Sequence, residues 1–494
     1  MAAAAADDDV KLESFLQWLQ ANGADLRGCT IRACGGKSFG VFSTAAPRPG
    51  ANDGVAMVVP LDLAITPMRV LQDPLVGLRC RALFEEEGGV DDRLLVMLFL
   101  MAEHRRPGSL WKPYLDMLPT TFGSSLWFTE EELAELEGTT LHRATVIQRK
   151  SLQSSFDEKV KGLVEELLHV DESASSIEVL FEDFLWANSI FWTRALNIPL
   201  PHSYVFPGSC GDEQIGTGND ACYSGPPAQQ EIDITAKDHS ADENSKSSNT
   251  ESIWVEGLVP GIDFCNHNVK ALATWEVDSV GNVTGIPASM YLLLADKSSA
   301  EAGAEICINY GNKGNEELLY LYGFVVDNNP DDYLMVHYPL EALRQIQSAD
   351  TKIQLLEMQE FMSTLWTIAM QEHELEQVAS LLGEVGSSED REISDAEIQS
   401  AIWEVCGDQG ALGLLVDLLG VKMAELEEGS GTEASDTELL EQVDSIHESD
   451  EKHKKKSKIN YRSCIVYRRG QKQLARLFLR EAEYLLELSA KEQT

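Results

Sequence analysis

Two short islands carry most of the polar chemistry of this 494-residue chain. The first reads Leu258-Val-Pro-Gly-Ile-Asp263-Phe-Cys-Asn266-His267-Asn268. The second opens at Glu305, passes Tyr310-Gly311 and closes on Tyr322-Gly323-Phe324. Both set Asp, Asn, His or Tyr among apolar neighbours, where a polar side chain must find a partner or a ligand. Asn266 and His267 place hydrogen-bond donors and acceptors next to each other, and Tyr310 puts a hydroxyl at the end of an apolar run. Groups of this kind suit a positively charged cofactor and an amine.

Two further features serve the same chemistry from elsewhere in the chain. Val179 to Ala195 is apolar on nearly every face (Leu180, Phe184, Leu185, Trp186, Ile190, Phe191, Trp192), which predicts a buried helix. Arg194 at its end needs a partner beside so many aromatic rings, unless it only serves the helix dipole. Gly35-Gly36-Lys37-Ser38-Phe39-Gly40 lies between two short strand patterns, and its glycines let backbone approach a ligand closely. Alone it reads as an ordinary hairpin. S-Adenosylmethionine is a cofactor that needs such a set. Its ammonium and carboxylate must be held, its adenine edge read and its methyl aimed down a narrow channel. Arg194 would pair with the carboxylate as a charge-assisted contact.

Composition narrows the partners. The length allows two or three domains at roughly 100–200 residues each, and a hydrophobic fraction of 44% supports real cores. With 39 basic and 81 acidic residues the net charge is −42. This excess argues against nucleic-acid phosphates and anionic lipid as partners and favours a basic protein surface, unless the acid sits in solvated loops, the simpler reading of the composition. Nine cysteines without a C-x-x-C pair suit reduced thiols and lend no support to a structural metal. The start of the sequence lacks signal-peptide and transit-peptide character, and no window spans a membrane. We expect a monomer in the cytoplasm, with nucleus and plastid as alternatives; Lys452-His-Lys-Lys-Lys456 is either an import signal or a solvated charge run.

Around the islands, alternation predicts strands at Thr30–Ala33, Gly40–Ser43, Val55–Pro60, Ala273–Val277, Ala288–Ala295 and Glu305–Tyr310. Helical periodicity predicts segments at Val10–Asn22, Asp92–Glu103, Thr129–Glu137 and Ser151–Leu168, the third opened by the capping box Thr129-Glu-Glu-Glu132. Beyond Pro330 helices return at 340–347, 351–384, 395–406 and 410–426, and a basic helix closes the chain at Asn460–Leu488. In that last helix Leu474, Leu477 and Leu485 form the stripe expected to pack inward. Residues 1–9, 208–252 and 429–457 read as disordered or mobile, the latter two acidic.

At this point the residues resemble a family, the SET-domain protein methyltransferases of the Rubisco large-subunit methyltransferase type. Val259-Pro-Gly-Ile-Asp263-Phe-Cys-Asn266-His267 looks like its V-P-x-x-D-x-x-N-H block, and Tyr310-Gly to Tyr322-Gly-Phe324 resembles its closing block. Trp111-Lys-Pro-Tyr-Leu-Asp-Met-Leu-Pro119, Trp186-Ala187 through Arg194-Ala195 and Tyr467-Arg468 extend the likeness over most of the chain. The resemblance implies an α+β fold: a β-rich SET core over 10–325, interrupted by a helical insertion at about 66–200, then an all-α substrate-binding domain over 331–494. It implies that Lys37, Ser38, Phe39, Arg194, Asn266 and His267 bind S-adenosylmethionine. Tyr310 would be catalytic, and Asp263, Trp275, Tyr322, Tyr310 and Arg194 would contact the substrate side chain. The implied activity is protein-lysine N-methylation of a non-histone substrate. A protein-histidine methyltransferase and a catalytically weak adaptor for a basic partner remain open. Three positions depart from the family pattern: Ser38 replaces a glycine of the loop, Trp275 a tyrosine, and Ile198 a basic substrate contact.

Overall fold

Strand β2 (Phe39–Ser43) is shielded from solvent along most of its length, and it pairs on both edges. On one side it runs antiparallel to β1 (Cys29–Ala33), with Ala33 opposite Phe39. On the other it meets β8 (Glu305–Ile306), with Val41 opposite Ile306. This pairing brings Glu305 to the Gly40 region. The computed structural model describes residues 2–34, 39–44, 54–86, 89–169, 178–206, 252–271, 273–295, 302–336, 412–413, 415–445 and 452–492.

A second antiparallel sheet orders β3 (Val55–Pro60), β7 (Ser289–Leu294) and β6 (Ala273–Asp278) with β7 in the centre. A two-stranded ribbon pairs β4 (Leu196–Pro201) with β5 (Ser252–Gly257). The β6–β7 turn is built on Asp278. Its carboxylate accepts backbone N–H bonds from Gly281, Asn282, Val283 and Thr284. Burial pushes that carboxyl up, but the bonds from Thr284, Val283 and Gly281 outweigh it and pull it down to about 2.

The helix Phe181–Arg194 buries Phe184 through Phe191, as its all-round apolar pattern requires. Each such aromatic or aliphatic side chain contributes about 1.5–3 kcal/mol. It packs beside the helix Asp92–Arg105, which Asp91 caps by accepting from the Leu94 N–H at 2.7 Å. Arg105 pairs with Asp183 across the two at 2.5 Å.

The chain divides into two compact units, Met1–Leu118 with Gly162–Asn309, and Pro119–Lys161 with Tyr310–Thr494. All the strands above belong to the first. Among its described residues the second is helical, with no strand. The α+β class expected from sequence holds, but the units do not follow the expected boundaries, because part of the helical insertion groups with the C-terminal region.

Several expectations change. The first helix starts at Ala2 and takes in residues 2–9, which read as disordered in the sequence; the Ala run has the highest helix propensity of any residue. The expected strand to Tyr310 ends at Ile306, because Ile308 leaves the ladder for the first island. Within 429–457, expected as a loop, Glu433–Ser445 is a helix, and the last helix begins at Lys452. The expected loop at 208–252 lies outside the described residues except for Ser252, as do the helical segments at 340–347, 351–384 and 395–406.

Buried charge decides the face of the closing helix Lys452–Glu492. Asp436 has no exposed surface and pairs with Lys472 at 2.7 Å and Arg468 at 2.8 Å; Arg468 also binds Glu135. These contacts turn Arg468, Gln471 and Lys472 inward beside Cys464, Ile465 and Tyr467. Leu477 and Leu485, expected to pack, stay 43% and 48% exposed. Removing one member of a buried ion pair strands the others, typically at a cost of about 3–5 kcal/mol. Asp436→Ala should lower unfolding stability by that amount in urea titration. A loss below about 1 kcal/mol would mean the network contributes no more than a surface ion pair.

Candidate functional site

The first island begins at a turn only glycine suits. Gly261 has φ +102°, and a Cβ there would lie 3.2 Å from Met57 Sδ. The turn aims the Gly261 N–H at Asp263 Oδ1, 3.1 Å away. Asp263 Oδ2 accepts from the Tyr114 hydroxyl at 2.5 Å. Tyr114 comes from the one-turn helix Lys112–Leu115, inside the aromatic, proline-punctuated corner of the sequence.

Arg194 meets the same residue from the end of its buried helix. Its Nη1 donates to the Asp263 backbone carbonyl at 2.9 Å and lies 3.6 Å from Oδ2. Its guanidinium stacks 4.6 Å from the centre of the Phe264 ring. The Arg194 side chain is 11% exposed and that of Asp263 is fully enclosed. Burial pushes the Asp263 carboxyl up to about 6, against the opposing pull of Arg194, Tyr114 and Gly261. The charge beside the aromatics has therefore found its partner. What the enclosed Asp263 carboxylate holds is Arg194.

Phe39 joins this cluster to Asn266. Its ring lies edge-on to Phe264 with centroids 6.4 Å apart. Its carbonyl accepts from Asn266 Nδ2 at 3.2 Å. The same Nδ2 donates to Glu305 Oε1 at 2.6 Å. Both side-chain amide hydrogens are thus engaged, so the group Asn266 would offer a ligand donor such as an ammonium is its side-chain oxygen. A Cβ on Gly40 would lie 2.9 Å from Asn266 Nδ2 and 3.0 Å from Glu305 Oε1, so only glycine leaves room for this bond pair. Ile308 stitches the two islands: its N–H donates to the Asn266 carbonyl at 3.0 Å, and its carbonyl accepts from the Asn268 N–H at 3.1 Å. His267 bridges Ile308 through its backbone.

The structure thus brings Phe39, Arg194, Asp263 and Asn266 together, with His267 adjacent. Phe39, Asn266 and His267 are half-buried. Lys37 and Ser38 lie outside the described residues. Trp275 sits half-buried on β6, and its indole N–H donates to the Asn197 carbonyl at 2.9 Å, three residues beyond Arg194 in the chain. Ile198 is fully buried. Tyr310 and Tyr322, in the second unit, pair ring to ring at 4.8 Å. Among the described residues no group of His, Cys, Asp or Glu could hold a metal ion, and no helix is long and apolar enough to cross a membrane.

Two partners were not assigned from sequence. Glu305 opens the second island, yet nothing local says that a carboxylate there meets Asn266. Tyr114 lies in the aromatic corner, but its contact with Asp263 spans 149 positions.

The fold is that of a SET domain of the Rubisco methyltransferase type. The crystal structure of the SET domain of LSMT bound to lysine and AdoHcy matches with a TM-score of 0.61, covering 96% of this chain and 91% of that one at 19% identity. In sequence, the chain is 29% identical over 324 residues to the chloroplastic fructose-bisphosphate aldolase-lysine N-methyltransferase of Arabidopsis thaliana. It is 27% identical over 304 residues to the chloroplastic ribulose-1,5 bisphosphate carboxylase/oxygenase large subunit N-methyltransferase of Nicotiana tabacum. The matches take in 64% and 59% of this chain and span 52% and 50% of the two relatives. No family model matches the chain.

The raised Asp263 carboxyl is a statement about stability. Between about pH 4 and pH 6 the folded chain binds the proton that the unfolded chain has released, so stability falls as pH rises through that window. A shift of about two units corresponds to about 3 kcal/mol. Asp263→Asn keeps an acceptor for Tyr114 without the charge. Its stability should lack the parent's fall between about pH 4 and pH 6, so the difference between the two proteins should move in the variant's favour by about 1–3 kcal/mol as pH rises through that window. Urea midpoints of both proteins across that range check this. A parent that gains stability relative to the variant as pH rises would contradict the assignment.

Proposed function

We propose that the chain is an S-adenosylmethionine-dependent protein-lysine N-methyltransferase acting on a non-histone protein. The observation that carries this reading is the convergence of Phe39, Asn266 and Arg194 on one cluster within a SET-type fold. Three complementary groups are present. The Asn266 oxygen would accept from an ammonium, Arg194 would pair with a carboxylate, and the Phe39 backbone would flank the ligand. The resemblance adds Lys37, Ser38 and His267 to that set. Likeness to lysine N-methyltransferases of aldolase and Rubisco supports the reaction class.

When bound, S-adenosylmethionine supplies an electrophilic methyl on a sulfonium. In the transfer such a cofactor would support, the methyl–sulfur bond would break as the methyl–nitrogen bond forms, and the amine would lose a proton to solvent. The chain's own task is positioning. A lysine must be neutral to attack, and an apolar, aromatic-walled channel favours the neutral amine by desolvation. Tyr310 is assigned, on resemblance alone, to orient that amine. Asp263, Trp275 and Tyr322 are assigned on the same basis to the substrate side, and aromatic faces suit a methylated ammonium. The net charge of −42 favours a basic protein surface as substrate; a monomer in the cytoplasm, with nucleus or plastid as alternatives, remains our proposal.

Calorimetry tests the reading directly. S-Adenosylmethionine should bind the purified chain, and Asn266→Ala should weaken it by about 10–100-fold, the worth of a hydrogen bond to a charged group. An absence of binding heat to the parent would refute the enzyme reading and favour an adaptor. Tyr310→Phe should leave that affinity within about threefold while slowing methyl transfer by about 100-fold or more, the scale of a misplaced reacting group. Undiminished turnover would remove Tyr310 from the catalytic role.

A further inference from the structure

Arg194 is half of a pair, and the other half is controlled from the aromatic corner. The Gly261 N–H holds Asp263 Oδ1, while the Tyr114 hydroxyl and Arg194 both meet Oδ2. Tyr114 is fully buried, with its ring 6.0 Å from Phe15. Burial and the nearby Asp263 charge push its phenol well above the ordinary value, so it stays protonated and remains a donor. We propose that Tyr114 is a positioning residue for cofactor binding: its hydroxyl keeps Asp263 ionised and aimed at Arg194, and thereby sets Arg194 for its ligand. This inference rests on the reading of the cluster as a cofactor site.

The electrostatics give the direction. The ionisable groups facing Asp263 are Arg194, Tyr114 and Cys265, and burial keeps the Cys265 thiol neutral by raising it well above its ordinary value. With Asp263 ionised, Arg194 and Asp263 sum to zero charge. With Asp263 protonated they sum to +1, and Arg194 keeps only its bond to the Asp263 backbone carbonyl. S-Adenosylmethionine carries sulfonium, ammonium and carboxylate, a net +1, so like-charge repulsion then weakens binding. Affinity should therefore fall as pH drops through about 6, where the Asp263 carboxyl takes its proton. The Tyr114 hydroxyl lowers that value, and its loss should move the fall to higher pH.

Two measurements separate the links. The first needs no cofactor. In infrared titration, the protonated-carboxyl band that Asp263→Asn lacks should appear near pH 6 in the parent and at higher pH in Tyr114→Phe. A hydrogen bond to a charged group corresponds to about one unit of pH. A band that titrates at the same pH in both proteins overturns the proposal, whatever the chain binds. The second is calorimetric. Near pH 6, Tyr114→Phe should bind S-adenosylmethionine up to about tenfold more weakly than the parent, yet within about threefold of it near pH 8. An affinity loss independent of pH, or a lower thermal midpoint with no shift of the acid limb, marks Tyr114 as structural only and overturns the proposal. A moved infrared band with an unmoved binding profile breaks the link to Arg194 and does the same. If Tyr114→Phe fails to fold, Asp263→Asn replaces it: the acid limb should vanish from its binding profile, and its persistence is contrary.

Discussion

The contact between Arg194 and Asp263 is the constraint around which the first unit is arranged. A guanidinium at the end of a helix this apolar would be costly without a partner, and Asp263 is that partner. Keeping Asp263 in place requires the left-handed backbone at Gly261 and the buried hydroxyl of Tyr114. Phe264, the residue next to Asp263, places its ring under the guanidinium and against Phe39. Phe39 in turn binds Asn266 through its carbonyl, and Glu305 takes the second amide hydrogen because β8 pairs with β2. One ion pair thus ties a helix end, a one-turn helix, a glycine turn and a three-stranded sheet into a single cluster.

Asp278 and Asp263 show how differently one residue type is used. Both are shielded from solvent. Asp278 receives four backbone N–H groups and the Thr284 hydroxyl, and its charge is stabilised below the ordinary carboxylate range. Asp263 receives one backbone N–H, one phenol and an ion pair at 3.6 Å, too little to offset its burial. The first builds a turn. The second keeps a charge where it lowers stability, a pattern expected where the charge has work to do on a ligand.

Much of this was legible in the sequence, for identifiable reasons. The strands at Phe39–Ser43 and Val55–Pro60 and the buried helix ending at Arg194 follow from apolar patterning that local physics enforces. The capping box at Thr129 is likewise a local device, and it forms as read. Contacts made at long range were not legible. Tyr114 and Asp263, or Glu305 and Asn266, meet only because strands and corners close over them. The arginines of the last helix face acidic neighbours as expected, but the inward Leu stripe was misread because hydrophobic periodicity was weighed over charge. Asp436 draws Lys472 and Arg468 inward and leaves Leu477 and Leu485 exposed. The early start of the first helix and the helix at Glu433–Ser445 show polar or Ala-rich composition mistaken for disorder.

The proposed transfer of a methyl group from a sulfonium cofactor to a protein lysine is open to direct test. The most direct measurement incubates the purified chain with tritiated-methyl S-adenosylmethionine and a cell extract, then locates the label on the modified residue by mass spectrometry. The account predicts label on the side-chain nitrogen of a lysine in a non-histone protein, lost when Asn266→Ala replaces the parent chain. Label on histidine, or none above that of the Asn266→Ala control, would contradict it.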